Sequence, residues 1–379
     1  MNFELTEEQL MIQQMAREFA QEKIAPSAVE RDLKEVFPHE IIKEMGGLGF
    51  MGMMVSPEWD GAGLDTVSYV LAMAEISKVD ASVGVIMSVN NSLVCWGLEQ
   101  YGSDFIKDKY LRPLAKGEKL GAFALSEPEA GSDATNQHTE AVKDGDHWSI
   151  NGIKNWITNG KTADYYLVMA QTNRELRHKG ITTFLVEKGT PGFDQAKKED
   201  KLGIRSSDTC SLTFNDVRVP HENIVWEEGK GFNFAMKTLN GGRIGIAAQA
   251  LGIAEASLEA AVNYSKTRKA FGTEIKNHQA IQFKLADMAV QVEAAKLLIL
   301  EAAALKDAHK DYTKQAAMAK LFASKAAVDC ALEAIQIHGG YGYVREYLVE
   351  RYLRDAKITE IYEGTSEIQR VVIARELLK

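Results

Sequence analysis

A run of glycine turns in the middle third of the chain places the strongest limit on the fold. The turns are Asp144-Gly145, Asn151-Gly152 and Asn159-Gly160. Such dipeptides favour tight turns between strands. Between and after them lie short stretches rich in β-branched and aromatic residues, and in residues 210–214 apolar and polar side chains alternate, which is the period of a half-buried strand. Many short strands without intervening helices predict a small β-barrel or sandwich.

Helical patterns flank this β region on both sides. Residues 1–118 have helical character with short breaks, and the chain becomes helical and Ala-rich again from about residue 230. Two apolar stripes with steps of three and four residues predict buried faces there. The first stripe is Ile281, Leu285, Met288, Val292, Ala295 and Ile299, and the second is Met318, Leu321, Val328, Leu332 and Ile335. We therefore expect three domains, namely a helical domain (1–118), a β domain (119–229) and a helical bundle (230–379).

Composition excludes several classes of ligand. The net charge of −9 argues against an extended nucleic-acid surface, which needs clustered Lys and Arg. The three cysteines are far apart and suit a reducing compartment, and the eight His show no HExxH or His-x-His spacing, so we expect no metal. The N-terminal segment lacks a signal pattern, and no uncharged apolar run approaches membrane-spanning length. These features favour a cytoplasmic protein without membrane insertion.

A glycine pattern before residue 55 imitates a dinucleotide-binding fingerprint. Gly47, Gly49 and Gly52 fit GxGxxG, but that pattern binds a pyrophosphate only between a strand and a helix. Here a predicted helix precedes it, and a segment rich in Gly and Pro follows. We reject a Rossmann site.

One carboxylate near the C-terminal end is the candidate for chemistry. Glu363 lies next to Gly364, after a short apolar run that ends at Tyr362. Ser366 and Gln369 form a capping-box pattern that should begin the last helix. A carboxylate on a bend between two ordered segments can enter an apolar pocket, where desolvation raises its pKa and makes it a better proton acceptor. The alternative is a solvated Glu that complements the helix dipole.

Six polar and aromatic motifs lie at the domain junctions. They are FALSEPEAGSDA (123–134), KNWITNG (154–160), GGRIGIAAQALG (241–252), RKAFG with HQAIQ (268–282), QIHGGYGY (336–343) and IYEGTSEIQR (361–370). Each could line a ligand-binding site. Trp156 could stack on a flat ring, and Arg243 and Arg268 could bind phosphates. Each also has an ordinary alternative, such as a core Trp or a Gly-Gly helix cap.

Together, in this order and spacing, the motifs closely resemble the acyl-CoA dehydrogenase family, and within it the short-chain (butyryl-CoA) branch. The resemblance covers essentially the whole chain. It implies an N-terminal α-helical domain, a middle β-barrel domain and a C-terminal four-helix bundle. It also implies FAD bound without a Rossmann fingerprint, and a dimer or, commonly, a homotetramer that is a dimer of dimers.

The resemblance further implies a reaction and a role for each motif. Glu363 would remove the α-proton of a short-chain acyl-CoA, and the β-hydrogen would leave as hydride to flavin N5. The product would be a trans-2-enoyl-CoA, and an electron-transferring flavoprotein would take the electrons. The residues implied to line the flavin ring are Phe123, Leu125, Ser126, Trp156 and Thr158, and Thr365 and Glu367 are implied to contact the same cofactor just past the base. Those implied to hold the diphosphate and adenosine, partly from a neighbouring subunit, are Arg268, Phe271, Gln279, Gln336, Gly339 and Gly340. Those implied to contact the substrate are Ser132, Asn240, Arg243 and Gly364.

Some features leave choices open. Asn240 stands where many relatives have Asp, which puts its bond to the CoA portion in doubt. The segment 239–245 (LNGGRIG) contains no carboxylate, so Glu363 has no competitor there. Trp96 either limits the acyl pocket to about four carbons or is ordinary core. The same residues would serve an enoyl-CoA reductase working in reverse or a branched substrate. A non-catalytic binding protein is disfavoured by Glu363 and by the net charge of −9.

Overall fold

Helices build the first part of the chain. The structure is a computed structural model that describes residues 4–379. Before residue 119 its α-helices are α1 (Glu7–Phe19), α2 (Ala25–Lys34), α3 (His39–Gly47), α4 (Thr66–Val79), α5 (Ala81–Ser88), α6 (Trp96–Tyr101), α7 (Asp104–Ile106) and α8 (Arg112–Ala115). Single π-helical segments at Ala20–Ile24, Val89–Cys95 and Lys107–Leu111 join neighbouring helices, and Pro57–Trp59 is a 3-10 turn. The predicted helical character of this region is confirmed.

The rejected glycine pattern is a packing feature. α3 ends at Gly47, and Gly49 has a φ of +79°. A Cβ atom on Gly52 would lie 2.6 Å from the Cα of Ala115, so only glycine allows this turn to approach α8 so closely. A helix precedes the pattern, as the sequence predicted, and the turn geometry of a dinucleotide site is therefore missing here.

Two long apolar helical stretches correct one expectation. The segments Ala81–Tyr101 and Gly231–Thr267 are long and apolar enough to cross a membrane by length and composition alone. Their apolar windows are 94% and 78% buried inside the protein, so packing within the fold accounts for their hydropathy. The expectation that no uncharged run approaches spanning length was wrong for the first stretch, which carries no charge before Glu99.

The middle of the chain forms one sheet that packs against itself. Its strands are β1 (Gly121–Ala124), β2 (Glu140–Asp144), β3 (His147–Thr158), β4 (Tyr165–Gln171), β5 (Ile181–Glu187), β6 (Phe193–Gln195), β7 (Thr209–Pro220) and β8 (Ile224–Val225). Their order is β6-β7-β3-β2-β4-β5-β8, and β1 pairs parallel to β4. Short 3-10 segments lie at Arg174–Gly180 and His221–Asn223.

The two halves of this sheet share one core. β2 and β4 are joined only by the pair Glu140 and Gln171. Across the interior, the rings of Trp148 (β3) and Phe184 (β5) lie 5.5 Å apart. Tyr166 on β4 and Phe193 on β6 lie 4.7 Å apart. The predicted β domain of the barrel-or-sandwich type is confirmed.

Long helices form the rest of the chain. They are α9 (Gly231–Thr267), α10 (Gln279–Asp307), α11 (Thr313–His338), α12 (Val349–Thr359) and α13 (Ser366–Leu377). A small hairpin of β9 (Lys269–Ala270) and β10 (Thr273–Glu274) follows α9, and 3-10 turns lie at Ile275–Asn277 and Gly339–Tyr343. α11 packs along α9 and α10 and also contacts α12 and α13, so it lies at the centre of the bundle.

One predicted helix face is confirmed and the other is wrong. On α10, Met288, Val292 and Ile299 of the first stripe are buried. On α11, Met318 is 37% and Leu332 49% exposed, although both were predicted to be buried. The buried face of α11 consists instead mainly of small residues, including Ala316, Ala319, Ala323, Ala327, Cys330 and Ala334. Small side chains at the contact allow helices to approach closely, and this packing outweighs the larger apolar residues.

Candidate active site

A bend between α12 and α13 presents the predicted carboxylate. Glu363 has a φ of +52° and Gly364 a φ of +93°. Non-glycine residues seldom adopt positive φ, and such strain concentrates at functional sites. The surrounding structure must therefore hold Glu363 in this strained backbone conformation.

The cap that fixes this bend differs from the prediction. Thr365, not Ser366, is the N-cap of α13, and its Oγ1 accepts a hydrogen bond from the Ile368 N–H at 3.3 Å. The Gln369 side chain does not complete a capping box. It donates from Nε2 to the Gly364 carbonyl at 2.8 Å, because the chain reverses before the helix begins. The sequence pattern therefore placed the N-cap of α13 one residue too far along the chain.

The side chain of Glu363 is half-buried, and one of its two carboxyl oxygens is buried without a hydrogen bond. Its Oε2 atom has no solvent exposure and no hydrogen-bonding partner within residues 4–379. Burial raises the pKa of this carboxyl to about 7, against the lowering effect of Lys320 and Arg243. α9 passes directly beside it, and a Cβ atom on Gly242 would collide with Oε2. A fully solvated carboxylate, the alternative, is thereby excluded, and this raised pKa is what a carboxylate needs if it is to accept a proton near neutral pH.

Arg243 lies in the interior near this carboxyl group. It is 5% exposed, its Nη1 donates to the Asn240 Oδ1 at 2.6 Å, and its Nε has no partner in the described part of the chain. Burial lowers its pKa to about 10, so it remains a cation at neutral pH. Asn240 also donates from Nδ2 to the Thr313 Oγ1 at 3.2 Å. The Asn240 side chain therefore positions Arg243 against α11, which the sequence did not indicate.

Two long-range contacts near the bend were not predicted from the sequence. The phenol of Tyr362 donates a hydrogen bond to the Gln249 Oε1, and burial raises the pKa of that phenol well above its ordinary value. Lys320, which is fully buried, donates from Nζ to the Gly364 carbonyl at 2.7 Å. These partners are 113 and 44 residues apart in sequence, so no local pattern could have found either contact.

A second predicted cluster lies where β1 and β3 meet. The pairing of β3 with β7 changes register between Lys154 and Ile157. Within this bulge Trp156 has a φ of +61° and is 62% exposed, so the alternative of a core Trp is excluded. A bulge that turns a large aromatic side chain into solvent is typical of a ligand-facing position.

Buried polar contacts hold the rest of this cluster. The Asn155 N–H donates to the Ser126 carbonyl at 2.8 Å. Lys154 donates from Nζ to the Leu125 carbonyl at 3.1 Å and pairs with Glu127 at 2.7 Å. The loop after β1 is thereby fixed to β3. The predicted residues that this arrangement places on the two neighbouring strands and the loop are Phe123, Leu125, Ser126, Trp156 and Thr158.

α9 connects the two clusters. The ring of Phe123 stacks on Phe234 of α9 with centroids 6.4 Å apart. Gly242, which touches Glu363, lies eight residues further along the same helix, or about 12 Å at the rise of an α-helix. The aromatic cluster and the buried carboxylate therefore lie along one helix.

A third group of predicted residues lines a cleft at the end of α11. The cleft has a volume of about 540 Å³ and includes Arg268, Gly339 and Gly340 in its lining. Gly339 ends α11 with a φ of +60°, and a Cβ atom on either glycine would meet open space. The backbone is therefore exposed beside a cation, an arrangement suited to an anionic group.

Other predicted residues stand apart from these clusters. Phe271 is 98% exposed, and Gln279, Gln336, Ser132 and Glu367 are also exposed. None of the first three lines the 540 Å³ cleft. Within residues 4–379 no group of three or more His, Cys, Asp or Glu side chains could hold a metal ion.

Three domain models of one family match the chain in order. They are "Acyl-CoA dehydrogenase, N-terminal domain" over residues 6–118, the middle domain over 122–217 and the C-terminal domain over 229–378. The chain belongs to the acyl-CoA dehydrogenase family.

Within that family the similarity to short-chain members is extensive. The chain is 51% identical to "Acyl-CoA dehydrogenase, short-chain specific" of Clostridium acetobutylicum, over 100% of both chains. The solved butyryl-CoA dehydrogenase of Megasphaera elsdenii is 49% identical, with a TM-score of 0.99 and 100% of both chains covered. A chain in the structure "Electron transferring flavoprotein of Acidaminococcus fermentans: Towards a mechanism of flavin-based electron bifurcation" is 50% identical, with a TM-score of 0.99 and the same coverage.

Proposed function

We propose that this protein is an FAD-dependent short-chain acyl-CoA dehydrogenase. It oxidises a short acyl-CoA such as butyryl-CoA to the trans-2-enoyl-CoA and passes the electrons to an electron-transferring flavoprotein. The observation that carries this proposal is the buried, unpaired carboxyl oxygen of Glu363 on a strained bend. Its placement fits the removal of a weakly acidic proton beside a thioester, and the similar short-chain proteins support the substrate class.

Glu363 acts as the base in this proposal. A carboxylate in water is too weak a base for an α-proton of a thioester, but burial raises the pKa of Glu363 to about 7 and brings it closer to that of the carbon acid. The N–H of Glu363 has no acceptor within residues 4–379. It is therefore available to donate to the thioester oxygen and to stabilise the negative charge that develops there.

The residues present fit FAD. Trp156 offers an exposed aromatic face beside Ser126 and Thr158, and the cleft at Arg268, Gly339 and Gly340 offers exposed backbone and a positive charge. When bound, FAD supplies the two-electron oxidation by accepting the β-hydrogen as hydride. We assign to the flavin ring Phe123, Leu125, Ser126, Trp156 and Thr158, and to the same cofactor, just past Glu363, Thr365 and Glu367.

The remaining assignments involve exposed residues. We assign to the diphosphate and adenosine Arg268, Phe271, Gln279, Gln336, Gly339 and Gly340, and to the substrate Ser132, Asn240, Arg243 and Gly364. The high exposure of Phe271, 98% in the single chain, supports its use against a cofactor held by a neighbouring subunit. Because Arg243 is buried, we assign it to the thioester end of the substrate rather than to a phosphate.

The proposal includes the assembly and location of the protein. We assign domains of residues 1–118, 119–229 and 230–379, a homotetramer arranged as a dimer of dimers, and a cytoplasmic location. Large exposed apolar residues on and after the bundle helices, such as Phe283, Val290 and Tyr343, support a subunit interface. Sedimentation of the 41.9 kDa chain should show tetramers, and a stable monomer would contradict this assembly.

The experiment that tests the function is an anaerobic titration of the purified yellow protein with acyl-CoA thioesters of increasing length, including branched ones. Butyryl-CoA should bleach the flavin absorbance most effectively, and adding an electron-transferring flavoprotein should restore it. Absence of bleaching by every thioester would leave a binding role instead. Faster turnover of crotonyl-CoA with a reduced flavoprotein partner would favour the reverse, reductase direction.

A further inference from the structure

Lys320 on α11 is a buried lysine whose ammonium group has no carboxylate partner. The side chain is 0% exposed. Its one hydrogen bond runs from Nζ to the Gly364 carbonyl at 2.7 Å, and no acidic group of residues 4–379 forms an ion pair with it. Burying an ammonium without an ion pair is costly, so its position on the bend calls for an explanation.

The Gly364 carbonyl is held by two donors. Besides Lys320, the buried Gln369 donates to it from Nε2 at 2.8 Å. Two hydrogen bonds to one carbonyl restrict rotation of the peptide between Gly364 and Thr365, and the Gln369 Nε2 also lies 3.4 Å from the Glu363 carbonyl. Contacts from α11 and α13 therefore hold the bend at Gly364 (φ +93°), next to Glu363 (φ +52°), and such strain persists only where the surroundings impose it.

Lys320 also acts on Glu363 through its charge. After burial, which raises the pKa of Glu363, Lys320 is the largest influence and lowers it, followed by Arg243. Burial lowers the pKa of Lys320 to about 8, so its ammonium is mainly protonated at neutral pH. An opposite charge at this site favours the ionised carboxylate.

We propose that Lys320 is a positioning residue for the dehydrogenation: through its hydrogen bond to the Gly364 carbonyl it clamps the bend at residues 363–364, and it places a positive charge beside the carboxylate of Glu363. This inference rests on the proposed role of Glu363 as the base. The hydrogen bond of Lys320 goes to the Gly364 backbone and not to the Glu363 carboxyl group. Lys320 acts through the Gly364 peptide and through its positive charge.

Other charged or titratable groups around the bend remain in place when Lys320 is replaced. The groups that face Glu363 or Lys320 are Arg243 on α9, Tyr69 on α4, Tyr362 on the bend, Glu360 after α12 and Glu367 on α13. Tyr312 and Arg375 face Arg243. Once Lys320 is removed, Arg243 remains as the cation that lowers the pKa of Glu363.

Three variants separate the charge from the hydrogen bond. Lys320→Met removes both, and Gln369→Met removes the second donor to Gly364 but leaves the ammonium. Lys325→Met removes a lysine from the solvent face of the same helix, where 67% of its side chain is exposed and it pairs with Asp329. It therefore serves as the control for charge loss on α11.

The measurement is the titration of the Glu363 carboxyl by difference infrared spectroscopy of the FAD-loaded protein, with Glu363→Gln as the blank. In Lys320→Met the midpoint should move upward by about one pH unit, the lower end of the effect of an opposite charge nearby. The acid limb of kcat/KM should move in the same direction, with unchanged FAD content. Gln369→Met should lower kcat without moving the titration, and Lys325→Met should change neither.

An unchanged titration in Lys320→Met would overturn the inference. If that variant does not fold, the reciprocal coupling is measured in Glu363→Gln, where the ¹³Cε signal of Lys320 should titrate at lower pH than in the wild type. An unshifted lysine titration would likewise overturn the inference. Failure of butyryl-CoA to bleach the wild-type flavin would instead refute the proposed function, because the infrared titration needs no substrate.

Discussion

Glu363 combines a buried carboxyl oxygen that lacks a hydrogen bond with a positive backbone φ. Each feature is costly alone, since an orphaned polar atom loses its hydration and a non-glycine residue at positive φ is strained. Surrounding contacts must therefore impose both. The unpaired Oε2 is what a proton acceptor needs, because a carboxylate saturated with hydrogen bonds is a weaker base.

Replacing the Glu363 carboxylate should abolish proton removal from the substrate but preserve FAD binding. Glu363→Gln has nearly the same shape, so the protein should keep its FAD, while flavin reduction by butyryl-CoA should fall by about 10³-fold or more because no base remains. Stopped-flow absorbance measures the rate. Glu293→Gln, on the exposed side of α10, is the control and should behave as the wild type. Substantial remaining activity in Glu363→Gln would mean that another group removes the proton.

The pH dependence should follow the ionisation of Glu363. Because the active form is the carboxylate and burial raises its pKa to about 7, kcat/KM should fall as the pH decreases through about 7 and level off above it. The folded protein holds this proton more tightly than an unfolded chain with a pKa of 4.5. The stability contribution of Glu363 should therefore decrease between pH 4.5 and about 7.

Two measurements check this pH dependence. Initial rates with excess electron acceptor give the kcat/KM profile. Thermal melting should show Glu363→Gln gaining stability relative to the wild type as the pH rises. A flat rate profile across this range would contradict the assignment of Glu363.

Trp96 should control the length of the acyl group. The side chain is half-buried, with the Tyr101 ring at 6.1 Å and the Lys306 Nζ at 5.6 Å. Trp96→Gly should open apolar room and shift kcat/KM toward longer acyl-CoA thioesters, since each buried methylene is worth about 0.8 kcal/mol. Trp59→Gly, in the 3-10 turn of the first domain, is the control. A chain-length profile identical to that of the wild type would refute a role for Trp96.

Among the elements, α13 shows how a cap determines the position of the site. Thr365 accepts the Ile368 N–H at 3.3 Å, whereas the Ser366 hydroxyl lies 3.5 Å from the Glu360 carbonyl. Beginning the helix one residue later would change the direction of the Gly364 carbonyl, which Lys320 and Gln369 bind. The cap therefore sets the geometry of the bend.

Substitutions at the two hydroxyl residues should differ in their effect. Thr365→Val removes the cap and should lower the free energy of unfolding by about 1 kcal/mol. Ser366→Ala should change it by less than about 0.5 kcal/mol, because that hydroxyl does not cap α13 and makes only a long contact with the Glu360 carbonyl. Urea denaturation of each variant measures both values. Equal losses, or a larger loss for Ser366→Ala, would show that the capping residue is Ser366 after all.

Across the whole molecule, an ion pair and a buried hydrogen bond join α12 to the other two parts of the chain. Arg354 pairs with Asp32 of α2 at 2.8 Å and with Glu350 at 2.7 Å. The neighbouring Asp355 accepts from the Ile204 N–H, before β7, at 2.6 Å. The helix that leads into the Glu363 bend is thus fixed to the first helical segment and to the β segment at once.

Loss of the Arg354 ion pairs should destabilise the folded protein. Arg354→Met leaves Asp32 buried without its partner, so the free energy of unfolding should fall by about 3 kcal/mol or more. The exposed pair of Arg218 and Asp144 supplies the control, since Arg218→Met should cost less than about 1 kcal/mol. Chemical denaturation measures both variants. A similar small loss in the two would show that the Arg354 pairs contribute little.

The amino-acid sequence alone determined the order of helical, β and helical segments, because glycine turns and hydrophobic periods act over a few residues. It also singled out Glu363 and Trp156, whose unusual neighbours mark a bend and a ligand-facing motif. The tertiary structure alone decided the cap at Thr365, the small-residue face of α11 and the contact of Lys320 with Gly364. The last two depend on which distant segment packs alongside, and Lys320 lies 44 residues from its acceptor. Local propensity contains no information about such partners.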